Sequence, residues 1–504
     1  MNILRLLWLL ALLPCRVFGD VPAIDGIFPN SVNAGTSVDV SLSGKVKPWP
    51  PQFWCSSPEV SITPGEKLPN AKITIDPKAK PGPVLIRAWN EDGAGEPFIF
   101  MIDPAAASRE VEDEKKDNGS VATAQEVKSE LPCVVNGRLN PGKDVDCYRI
   151  KLKKGQTFYA FAEAYSFRTG LDAAIHLYHP NGNRVALEHD SDINPDPRLS
   201  HTVDSDGLYT IAIMAIPIPP SANVSFHGGS KCSYRINLGL KPGQLPARLL
   251  PTAAKADAPV DKPLTPPVDF FQTLKKDPSA NQIQFKAKAK ETYQIEVLAY
   301  ENRFPTDPVF TLNTPEGKVI KEIDDVKELY RDGRYDWKAS TDGNYTVSVR
   351  DRYHRTGPEF RYQLRIQTPA PSFNGSTDKS SYLLEAGKDA TVKIKLNRVS
   401  NHKAPLKLDV QNLPAGVTIA SPPKIPDKSG DISLSLKATE TVKSFSGPIS
   451  LTIKEEESDQ KATVAFSFET KDEPFPYLIN VTSAIWLTVK AKPEKKAEKE
   501  KEKK

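Results

Sequence analysis

Apolar and polar residues alternate along almost every readable segment of this chain. Examples are SVDVSLSG from Ser37, CYRIKL from Cys147 and ATVKIKL from Ala390. A period of two places successive side chains on opposite faces of an extended strand, so each segment predicts a half-buried β-strand. Clusters of Gly, Pro, Asn and Asp interrupt the segments at short intervals, as turns do in β-sandwiches. The pattern therefore predicts an all-β fold.

One turn-and-strand phrase occurs twice in the chain. DSDGLYTIAI, from Asp204, returns as STDGNYTVSV, from Ser340. The flanks match too, because the 28 residues from Gly155 align without a gap on those from Lys290. A period this long indicates a duplicated domain rather than a solenoid. The identical pairs include Thr157 and Thr292, Tyr165 and Tyr300, Arg168 and Arg303, Asp172 and Asp307, Leu177 and Leu312, Pro180 and Pro315, and Gly182 and Gly317.

The repeated phrase itself has a structural explanation. Asp206-Gly207 and Asp342-Gly343 predict turns that reverse the chain before a strand. Side chains at every second position of that strand then face the interior. The inward-facing residues predicted for the two strands are Tyr209, Ile211, Ile213, Tyr345, Val347 and Val349.

The 504 residues exceed what one hydrophobic core usually serves, and they divide into four predicted β-sandwich domains of jelly-roll-like and immunoglobulin-like type. The two repeat copies span residues 110–240 and 268–368. A separate domain precedes them at 20–103, and another follows at 371–490. The other predicted segments are a signal peptide at 1–19, a semi-rigid Pro- and Ala-rich linker at 241–267 and a disordered Lys/Glu tail at 491–504.

The N-terminus predicts export. Arg5 precedes an apolar run from Leu6 to Leu13, and small Gly19 stands before Asp20. This order is typical of a secretory signal peptide cleaved after Gly19. The run is too short to span a bilayer. We therefore expect a secreted, cell-surface or periplasmic protein without a membrane span.

Export places the thiols in an oxidising compartment, where disulfides form. Four cysteines remain after cleavage: Cys55, Cys133, Cys147 and Cys232. Because three of them fall in the first copy, we expect one disulfide there, joining Cys232 to either Cys133 or Cys147. Sequence alone does not fix the pairing.

Charge and motifs narrow the function classes. The formal net charge is only +4, which does not indicate a nucleic-acid binder. The chain has no G-x-S-x-G elbow and no H-E-x-x-H motif, so no hydrolase signature is recognisable. Five of the seven histidines fall in the first copy: His176, His179, His189, His201 and His227. Their spacing is not that of a zinc site, so surface histidines are the favoured interpretation.

The two outer domains resemble immunoglobulin-like families. Residues 20–103 open with IDGIFPNSVNAGTSVDVSLSG and resemble IPT/TIG-type domains. The last domain contains NLPAGVTI, from Asn412, and resembles the bacterial immunoglobulin-like domains attached to extracellular glycosidases. It closes with YLINVTSAIWLTV, a strand in which Trp486 is predicted to lie in the core.

The repeats resemble a different family. The first copy contains GKDVDCYRI from Gly142, KKGQ from Lys153, DPRL from Asp196 and DGLYT from Asp206. These segments, in this order, resemble the bacterial pre-peptidase C-terminal domain, a small jelly-roll-like β-sandwich found beside secreted peptidases. The second copy keeps the later half and ends with RDRYHRTGPEFRYQLRI. The resemblance implies a secreted bacterial protein.

Acidic residues at the start of the first copy point to calcium, a hard cation that prefers oxygen ligands. In relatives fused to collagenases, equivalent residues of the linker and of a D-x-D turn bind calcium. Lys115 and Lys116 depart from the relatives' pattern, and a solvated acidic linker is the alternative. The second copy has Ser279 and Asn281 in place of the two aspartates, so we expect no calcium there. The predicted ligands are Glu112, Glu114, Asp117, Asn118, Asp144 and Asp146.

A second candidate surface lies near the end of the second copy. Tyr353, Arg355, Phe360 and Tyr362 could bind a polymer, because aromatic and guanidinium groups offer flat contact. The alternative, which we favour, is that the aromatic residues cap the sandwich.

Together these features predict a secreted, non-catalytic protein that binds or adheres to an extracellular protein or polysaccharide matrix. Two alternatives stay open. One is a secreted peptidase or other hydrolase with unrecognised catalytic residues. The other is an accessory partner of a separate peptidase.

Overall fold

The computed structural model describes residues 20–191, 194–216, 226–246, 257–469 and 475–492. The predicted signal peptide, residues 247–256 of the predicted linker and residues 493–504 of the tail lie outside this part. Within it the chain is all-β, as predicted, apart from 3-10 helices. These short helices are Tyr165–Phe167, Pro242–Gln244, Pro278–Asn281 and Lys327–Leu329. No helix among the described residues is long and apolar enough to cross a membrane.

The N-terminal domain is a two-sheet sandwich. Its strands are β1 Ala23–Phe28, β2 Ser31–Asn33, β3 Ser37–Lys45, β4 Gln52–Cys55, β5 Val60–Pro64, β6 Asn70–Ile75, β7 Gly82–Asn90, β8 Gly93–Ala94 and β9 Phe98–Asp103. One sheet has the order β1-β3-β6-β5 and the other β2-β9-β7-β4, with β8 paired to β7. Inward side chains of both sheets, such as Ile73 and Phe100, form one apolar core. Burial of each large apolar side chain stabilises the fold by about 1.5–3 kcal/mol.

The first repeat is a sandwich of two five-stranded sheets. Its strands are β10 Ser108–Val111, β11 Gln125–Glu126, β12 Cys133–Arg138, β13 Asp146–Leu152, β14 Thr157–Glu163, β15 Asp172–Tyr178, β16 Arg184–Glu188, β17 Arg198–Thr202, β18 Gly207–Ile216 and β19 Ser233–Gly239. The sheet orders are β10-β12-β19-β14-β17 and β11-β13-β18-β15-β16. Edge strands β10 and β11 pair in parallel with β12 and β13. The segment ahead of the repeat thus contributes one strand to each sheet.

The second repeat has the same sheet order without those two edge strands. Its strands are β20 Val268–Thr273, β21 Gln282–Ala287, β22 Thr292–Leu298, β23 Pro308–Asn313, β24 Val319–Ile323, β25 Gly333–Lys338, β26 Gly343–Asp351 and β27 Arg361–Gln367. The sheets are β20-β27-β22-β25 and β21-β26-β23-β24. Part of the predicted linker packs here, because Leu264 bridges to Phe285 and contacts the core.

The C-terminal domain is a third arrangement of two facing sheets. Its strands are β28 Ser372–Thr377, β29 Ser381–Glu385, β30 Asp389–Val399, β31 Leu406–Gln411, β32 Val417–Ile419, β33 Gly430–Ala438, β34 Phe445–Glu455, β35 Lys461–Thr463, β36 Phe466–Ser467, β37 Val481–Thr482 and β38 Ile485–Lys490. The sheets have the orders β28-β30-β33-β32 and β29-β38-β34-β31, with β35 paired to β34; β36 and β37 form a separate ribbon. Ile485, Leu487 and Val489 of β38 face the core.

The repeated Asp-Gly-x-Tyr-Thr phrase performs the same task in both repeats. Asp206 accepts a hydrogen bond from the Lys154 N–H at 2.8 Å, and Asp342 accepts one from the Ala289 N–H at 2.7 Å. A Cβ on Gly207 would lie 2.4 Å from the Pro180 ring. All six predicted inward-facing residues are buried in the two cores. The phrase therefore serves folding, as predicted.

A buried aspartate supports a loop at matched positions of the two repeats. Asp196, from the DPRL segment, accepts hydrogen bonds from the N–H groups of residues 164, 165 and 166 at 2.7–3.1 Å. Asp332 does the same for residues 299, 300 and 301 at 2.7–2.9 Å. Burial raises the pKa of each carboxyl to about 6. Each loop then ends at a left-handed arginine, Arg168 or Arg303.

Aromatic residues join the domains to one another. Tyr165 of the first repeat stacks on Tyr477 of the C-terminal domain, with ring centroids 5.3 Å apart. The Arg168 guanidinium lies over the rings of Phe468 and Tyr477 and pairs with Glu96 of the N-terminal domain at 2.9 Å. We name the apolar residues of this contact the junction cluster: Leu85, Ile99, Met101, Tyr165, Phe167, Phe468 and Tyr477.

Trp486 is buried, but not in the core of its own sandwich. It alternates with the core residues of β38 and so faces the opposite side of the sheet. There it contacts Trp54 and Trp89 of the N-terminal domain, with centroids 5.8 and 6.0 Å apart. The Arg87 guanidinium also lies over its ring. The prediction of burial is right, whereas the prediction of a place in the domain core is wrong.

The predicted disulfide is wrong, because all four cysteines of the described residues are free thiols. Cys133 pairs with Leu238 at one end of β12, whereas Cys232 lies beside Leu139, beyond the other end. Six residues of extended strand, at about 3.3 Å each, separate the two ends. Cys147 faces the outer side of its sheet, away from the core that holds Cys232. Neither predicted pair can close.

Candidate functional site

The acidic segment of the first repeat crosses from one sheet to the other. It leaves β10 at Val111, carries the predicted ligands of the linker and enters β11 at Gln125. Midway, the Asn118 carbonyl accepts a hydrogen bond from the Cys147 N–H at 2.9 Å, which fixes the segment over the start of β13. Asp146 is the first residue of that strand. The two edge strands thus bring linker and turn residues to one place.

Glu112 and Asp146 form the centre of this cluster, and their carboxyl groups lie side by side and act on each other electrostatically. Glu112 is 8 % exposed and Asp146 is fully buried. The Arg138 N–H donates to Glu112 Oε2 at 2.7 Å, and the Tyr234 hydroxyl donates to Asp146 Oδ2 at 2.5 Å. Asp146 Oδ1 is buried without a hydrogen-bond partner. A buried carboxylate oxygen without a partner is unfavourable, and a proton or a cation would satisfy it.

A missing side chain makes room for that tyrosine. A Cβ on Gly137 would lie 2.1 Å from the Tyr234 hydroxyl oxygen and 2.5 Å from that of Tyr148. The two hydroxyls are 2.7 Å apart, so they form a short chain that ends on Asp146. Glycine at position 137 is therefore required by the carboxyl cluster, not by the strand.

The electrostatics of the pair oppose full ionisation. Burial raises the pKa of Glu112 to about 7, and the nearby Glu114 and Asp144 charges add to the shift. Burial and the Glu112 charge together raise the pKa of Asp146 to about 9. Like charges in a low-dielectric site favour a shared proton or a bound cation. The cluster can therefore hold a hard metal ion, or remain protonated without one.

The other predicted ligands surround this pair at its exposed side. Asp144 is half-buried, and its two oxygens accept the N–H groups of Val145 and Asn140 at 2.9 and 2.8 Å. Burial raises the pKa of Asp144, as do the charges of Asp117 and Glu114. The Asn118 Nδ2 is buried and unpartnered. Each predicted carboxylate thus acts electrostatically on at least one other of the set.

Basic residues near the cluster form ion pairs with Glu114 and Asp113. Arg138 donates two hydrogen bonds to Glu114 Oε1, at 2.8 and 2.5 Å. Lys116 pairs at 2.8 Å with Asp113, which is not a predicted ligand. Of the predicted carboxylates, Glu114 is therefore engaged by Arg138.

Arg138 also connects the cluster to the N-terminal domain. Its guanidinium lies 4.9 Å from the centroid of the Phe28 ring. Further contacts support this boundary: Ser31 donates to Asn136 at 2.9 Å, and the fully buried Arg235 pairs with Asp103 at 2.7 Å. The carboxyl cluster therefore lies at a packed junction between two domains.

The second predicted surface is only partly a surface. Tyr362 is 1 % exposed and belongs to the core of the second repeat, so its place among the ligand-binding residues is wrong. It alternates inward with Leu364 and Ile366 of β27. Tyr353 is 66 % exposed. The Arg355 guanidinium lies over the rings of Tyr353 and Phe360, at 5.2 and 4.9 Å from their centroids.

Sequence reasoning missed two further clusters of metal-binding side chains. They are Asp172, His189 and Asp190 in the first repeat, and Asp307, Asp324 and Asp325 in the second. The identity of Asp172 and Asp307 in the aligned copies was the available signal, but the other members come from a neighbouring strand. Among the described residues, the five histidines of the first repeat do not gather into a zinc site. His176 faces outward, as its position between Ile175 and Leu177 predicts.

Comparison with known proteins adds little. No family model and no curated protein matches the chain. Among solved structures it is similar to the N-terminal four Ig domains of Dscam1 isoform 1.9, with 8 % identity and a TM-score of 0.21 over 89 % of this chain and 99 % of that one.

Two other solved structures show the same weak similarity. The mixed-linkage glucan utilization locus protein SGBP-B of Bacteroides ovatus has 12 % identity and a TM-score of 0.15, over 67 % of this chain and 72 % of that one. The ICAM-5 D1–D4 ectodomain fragment has 11 % identity and a TM-score of 0.13, over 88 % and 97 %. TM-scores this low do not establish a structural relationship. The sandwich architecture is therefore assigned from the strand pairing alone.

Proposed function

We propose that this chain is an exported binding protein with two pre-peptidase C-terminal-like repeats, whose first repeat binds calcium at the Glu112–Asp146 pair. Bound calcium fixes the junction between that repeat and the N-terminal domain. The assembled protein then attaches to an extracellular protein or polysaccharide matrix. The signal-peptide pattern of residues 1–19 and the repeat motifs support export and the family resemblance.

One observation carries the calcium proposal: Asp146 Oδ1 is buried without a partner against the equally buried Glu112 carboxyl. Keeping two carboxylates together inside a protein is costly unless a cation or a proton neutralises them. Calcium takes six to eight oxygen ligands at about 2.3–2.6 Å. Glu112, Asp144 and Asp146 can supply carboxylate oxygens, and water reaches the exposed side of the cluster.

The position of the cluster suggests what calcium does. Arg138 contacts Glu112, Glu114 and the Phe28 ring of the N-terminal domain. A cation that orders the two glutamates would also order this arginine and the segment between β10 and β11. We therefore expect calcium to stiffen the orientation of the two domains rather than to take part in chemistry.

The stack of exposed Tyr353 on half-buried Arg355 and Phe360 is the proposed contact with a polymer. Asp351 holds the Arg355 guanidinium at 2.9 Å, and the Pro305 carbonyl accepts a second bond at 2.8 Å. A guanidinium fixed in this way loses little conformational entropy when a ligand binds. Exposed Tyr and Arg are side-chain types that dominate binding surfaces.

Calorimetric titration of Ca²⁺ into the mature chain, residues 20–504, tests the calcium proposal. We expect the wild type to bind and the Asp144→Ala/Asp146→Ala variant to lose this site. Glu126→Ala is the matched control, because Glu126 is exposed on β11 of the same segment. Binding unchanged in the double variant would overturn the proposal.

Retention on insoluble protein and polysaccharide polymers tests the binding role. We expect calcium-dependent retention that falls in a Tyr353→Ala/Phe360→Ala variant, without turnover of the polymer. Cleavage of a peptide or glycan panel by the purified chain would instead favour the hydrolase alternative.

A further inference from the structure

Three aspartates meet at the open end of a hairpin in the second repeat, far along the chain from the Glu112–Asp146 pair. Asp307 directly precedes β23, and Asp324 and Asp325 directly follow β24. One carboxylate oxygen from each lies within 4.8 Å of the others. Ligands around a single calcium ion lie at most about 5 Å apart, so this spacing suits one ion.

Burial leaves this group short of partners. Asp307 is only 7 % exposed, and its Oδ1 has no hydrogen-bond partner. The Oδ1 of Asp324 is also buried and unpartnered. A buried oxygen without a hydrogen-bond partner is unfavourable. Burial raises the pKa of Asp307, and the Asp325 charge raises it further. The group therefore requires positive charge in its centre.

Nearby arginines supply only part of that charge. Arg352 pairs with the other oxygen of Asp324, but its side chain is 46 % exposed. Exposed ion pairs of this kind contribute little to stability, because solvent screens them. Arg331 also acts on the Asp307 and Asp325 carboxylates electrostatically. Neither arginine donates a hydrogen bond to the two unpartnered Oδ1 atoms.

The first repeat has a histidine at the matched position. The offset that aligns Asp172 with Asp307 also places His189 on Asp324 and Asp190 on Asp325. The hairpin pairings agree with this offset, since Ile175 pairs with Glu188 and Phe310 pairs with Ile323. His189 Nε2 lies 2.9 Å from Asp172 Oδ1, and its Nδ1 lies 3.6 Å from Asp190 Oδ1. The imidazole thus lies between the two carboxylates there. The second repeat has a third carboxylate at that position instead.

We propose that Asp307, Asp324 and Asp325 bind a divalent cation of the calcium class. The donor set consists of oxygens alone, which suits calcium or magnesium rather than a transition metal. Asp325 is exposed and Asp324 is only half-buried, so water completes the coordination. The cation joins the start of β23 to the end of β24 and closes the hairpin.

Titration of Ca²⁺ and, separately, of Mg²⁺ into residues 20–504 tests this site. The Asp144→Ala/Asp146→Ala variant serves as background, since it removes the other proposed site. We expect that background to retain one bound Ca²⁺ per chain. Adding Asp325→Asn, or Asp324→His to copy the first repeat, should weaken the remaining binding at least tenfold. Asp190→Asn, at the matched position of the first repeat, is the control and should leave it unchanged.

Scanning calorimetry without metal separates loss of binding from loss of folding. Asp325→Asn removes one of three like charges, so we expect its second-repeat transition to be at least as stable as in the background. Calcium should raise that transition in the background but not in Asp325→Asn or Asp324→His. No Ca²⁺ bound to the background, or equal binding by the Asp325→Asn variant, would overturn this inference. Either result leaves the Glu112–Asp146 site to be judged on its own variant.

Discussion

The two repeats use the same strand position for opposite purposes. Asp146 begins β13, and the alignment places Asn281 at the equivalent position ahead of β21. The Asn281 amide accepts from the Lys275 N–H at 2.8 Å and donates to the Lys275 carbonyl at 2.9 Å. Asp146 instead faces Glu112 and keeps one oxygen without a partner. A single exchange of amide for carboxylate thus separates a closed turn from a candidate cation site.

At the β15–β16 and β23–β24 hairpins it is the second repeat that carries the additional carboxylate. There the first repeat holds a histidine between two aspartates, and the second repeat holds three aspartates. The sandwich tolerates both arrangements because these side chains lie at strand ends, outside the apolar cores. Duplication therefore preserved the core and its turns, while charge was redistributed at the strand ends.

Replacing Asp196 or Asp332, which hold the matched loops, should lower stability the most. The loss should be equal in the two repeats. Asp196→Ala leaves three buried N–H groups without an acceptor, and Asp332→Ala leaves two buried and one partly buried N–H group without one. We expect each to lower the unfolding free energy of its own repeat by about 3 kcal/mol or more. Scanning calorimetry of the full chain should show one displaced transition per variant, with exposed Asp389→Ala as control. A large effect in one repeat only would contradict the shared architecture.

Placing the aspartate of the first repeat at the start of β21 should lower the stability of the second repeat nearly as much. Asn281→Asp removes the amide that donates to the Lys275 carbonyl. It also adds a buried charge to the second repeat, which has no acidic segment like that around Glu112. We expect a loss of about 2–3 kcal/mol from the second repeat. The reverse change, Asp146→Asn, removes a like charge, so without calcium the first repeat should gain stability. Chemical denaturation of both variants measures the two signs; equal signs would contradict the comparison.

Calcium binding at the first repeat should weaken as pH falls. The folded pKa of Glu112, about 7, is raised by burial, so protonation stabilises the cation-free repeat below that pH and this stabilisation is lost as pH rises through 7. Calcium needs the ionised carboxylate. We expect its affinity to drop about tenfold per pH unit below 7 for each displaced proton. Titrations at pH 6 and 7, with Asp146→Asn alongside, test this; a pH-independent affinity would contradict it.

The smallest effect should come from the turn glycines. A Cβ at position 207 would lie 2.4 Å from the Pro180 ring, and one at position 343 would lie 2.7 Å from the Pro315 ring. We expect Gly207→Ala and Gly343→Ala to cost about 1–2 kcal/mol, with the first repeat losing more. Gly243→Ala has open space and is the control. Thermal shifts of the three variants would show whether the proline contact or the turn itself requires glycine.

Period-two patterning and the duplicated phrase were enough to predict the all-β fold and the matching inward faces of β18 and β26. They were enough because both are local properties of an extended chain. The proposed calcium ligands could also be named from the sequence, because Glu112 to Asn118 and Asp144 to Asp146 lie in two short segments that resemble the calcium-binding segments of the family. The Tyr234 hydroxyl and Gly137 could not be found in this way, because strands β19 and β12 bring them from elsewhere in the chain.

The sequence by itself determined which residues alternate, where turns fall, and that Trp486 is buried. Only the tertiary structure decided what buries it, because one face of β38 packs in its own sandwich and the other against a different domain. It also decided that the cysteines stay apart and that Asp307 meets Asp324 and Asp325. Periodicity specifies the face of a strand on which a side chain lies. Strand order and domain packing specify which distant residue lies opposite.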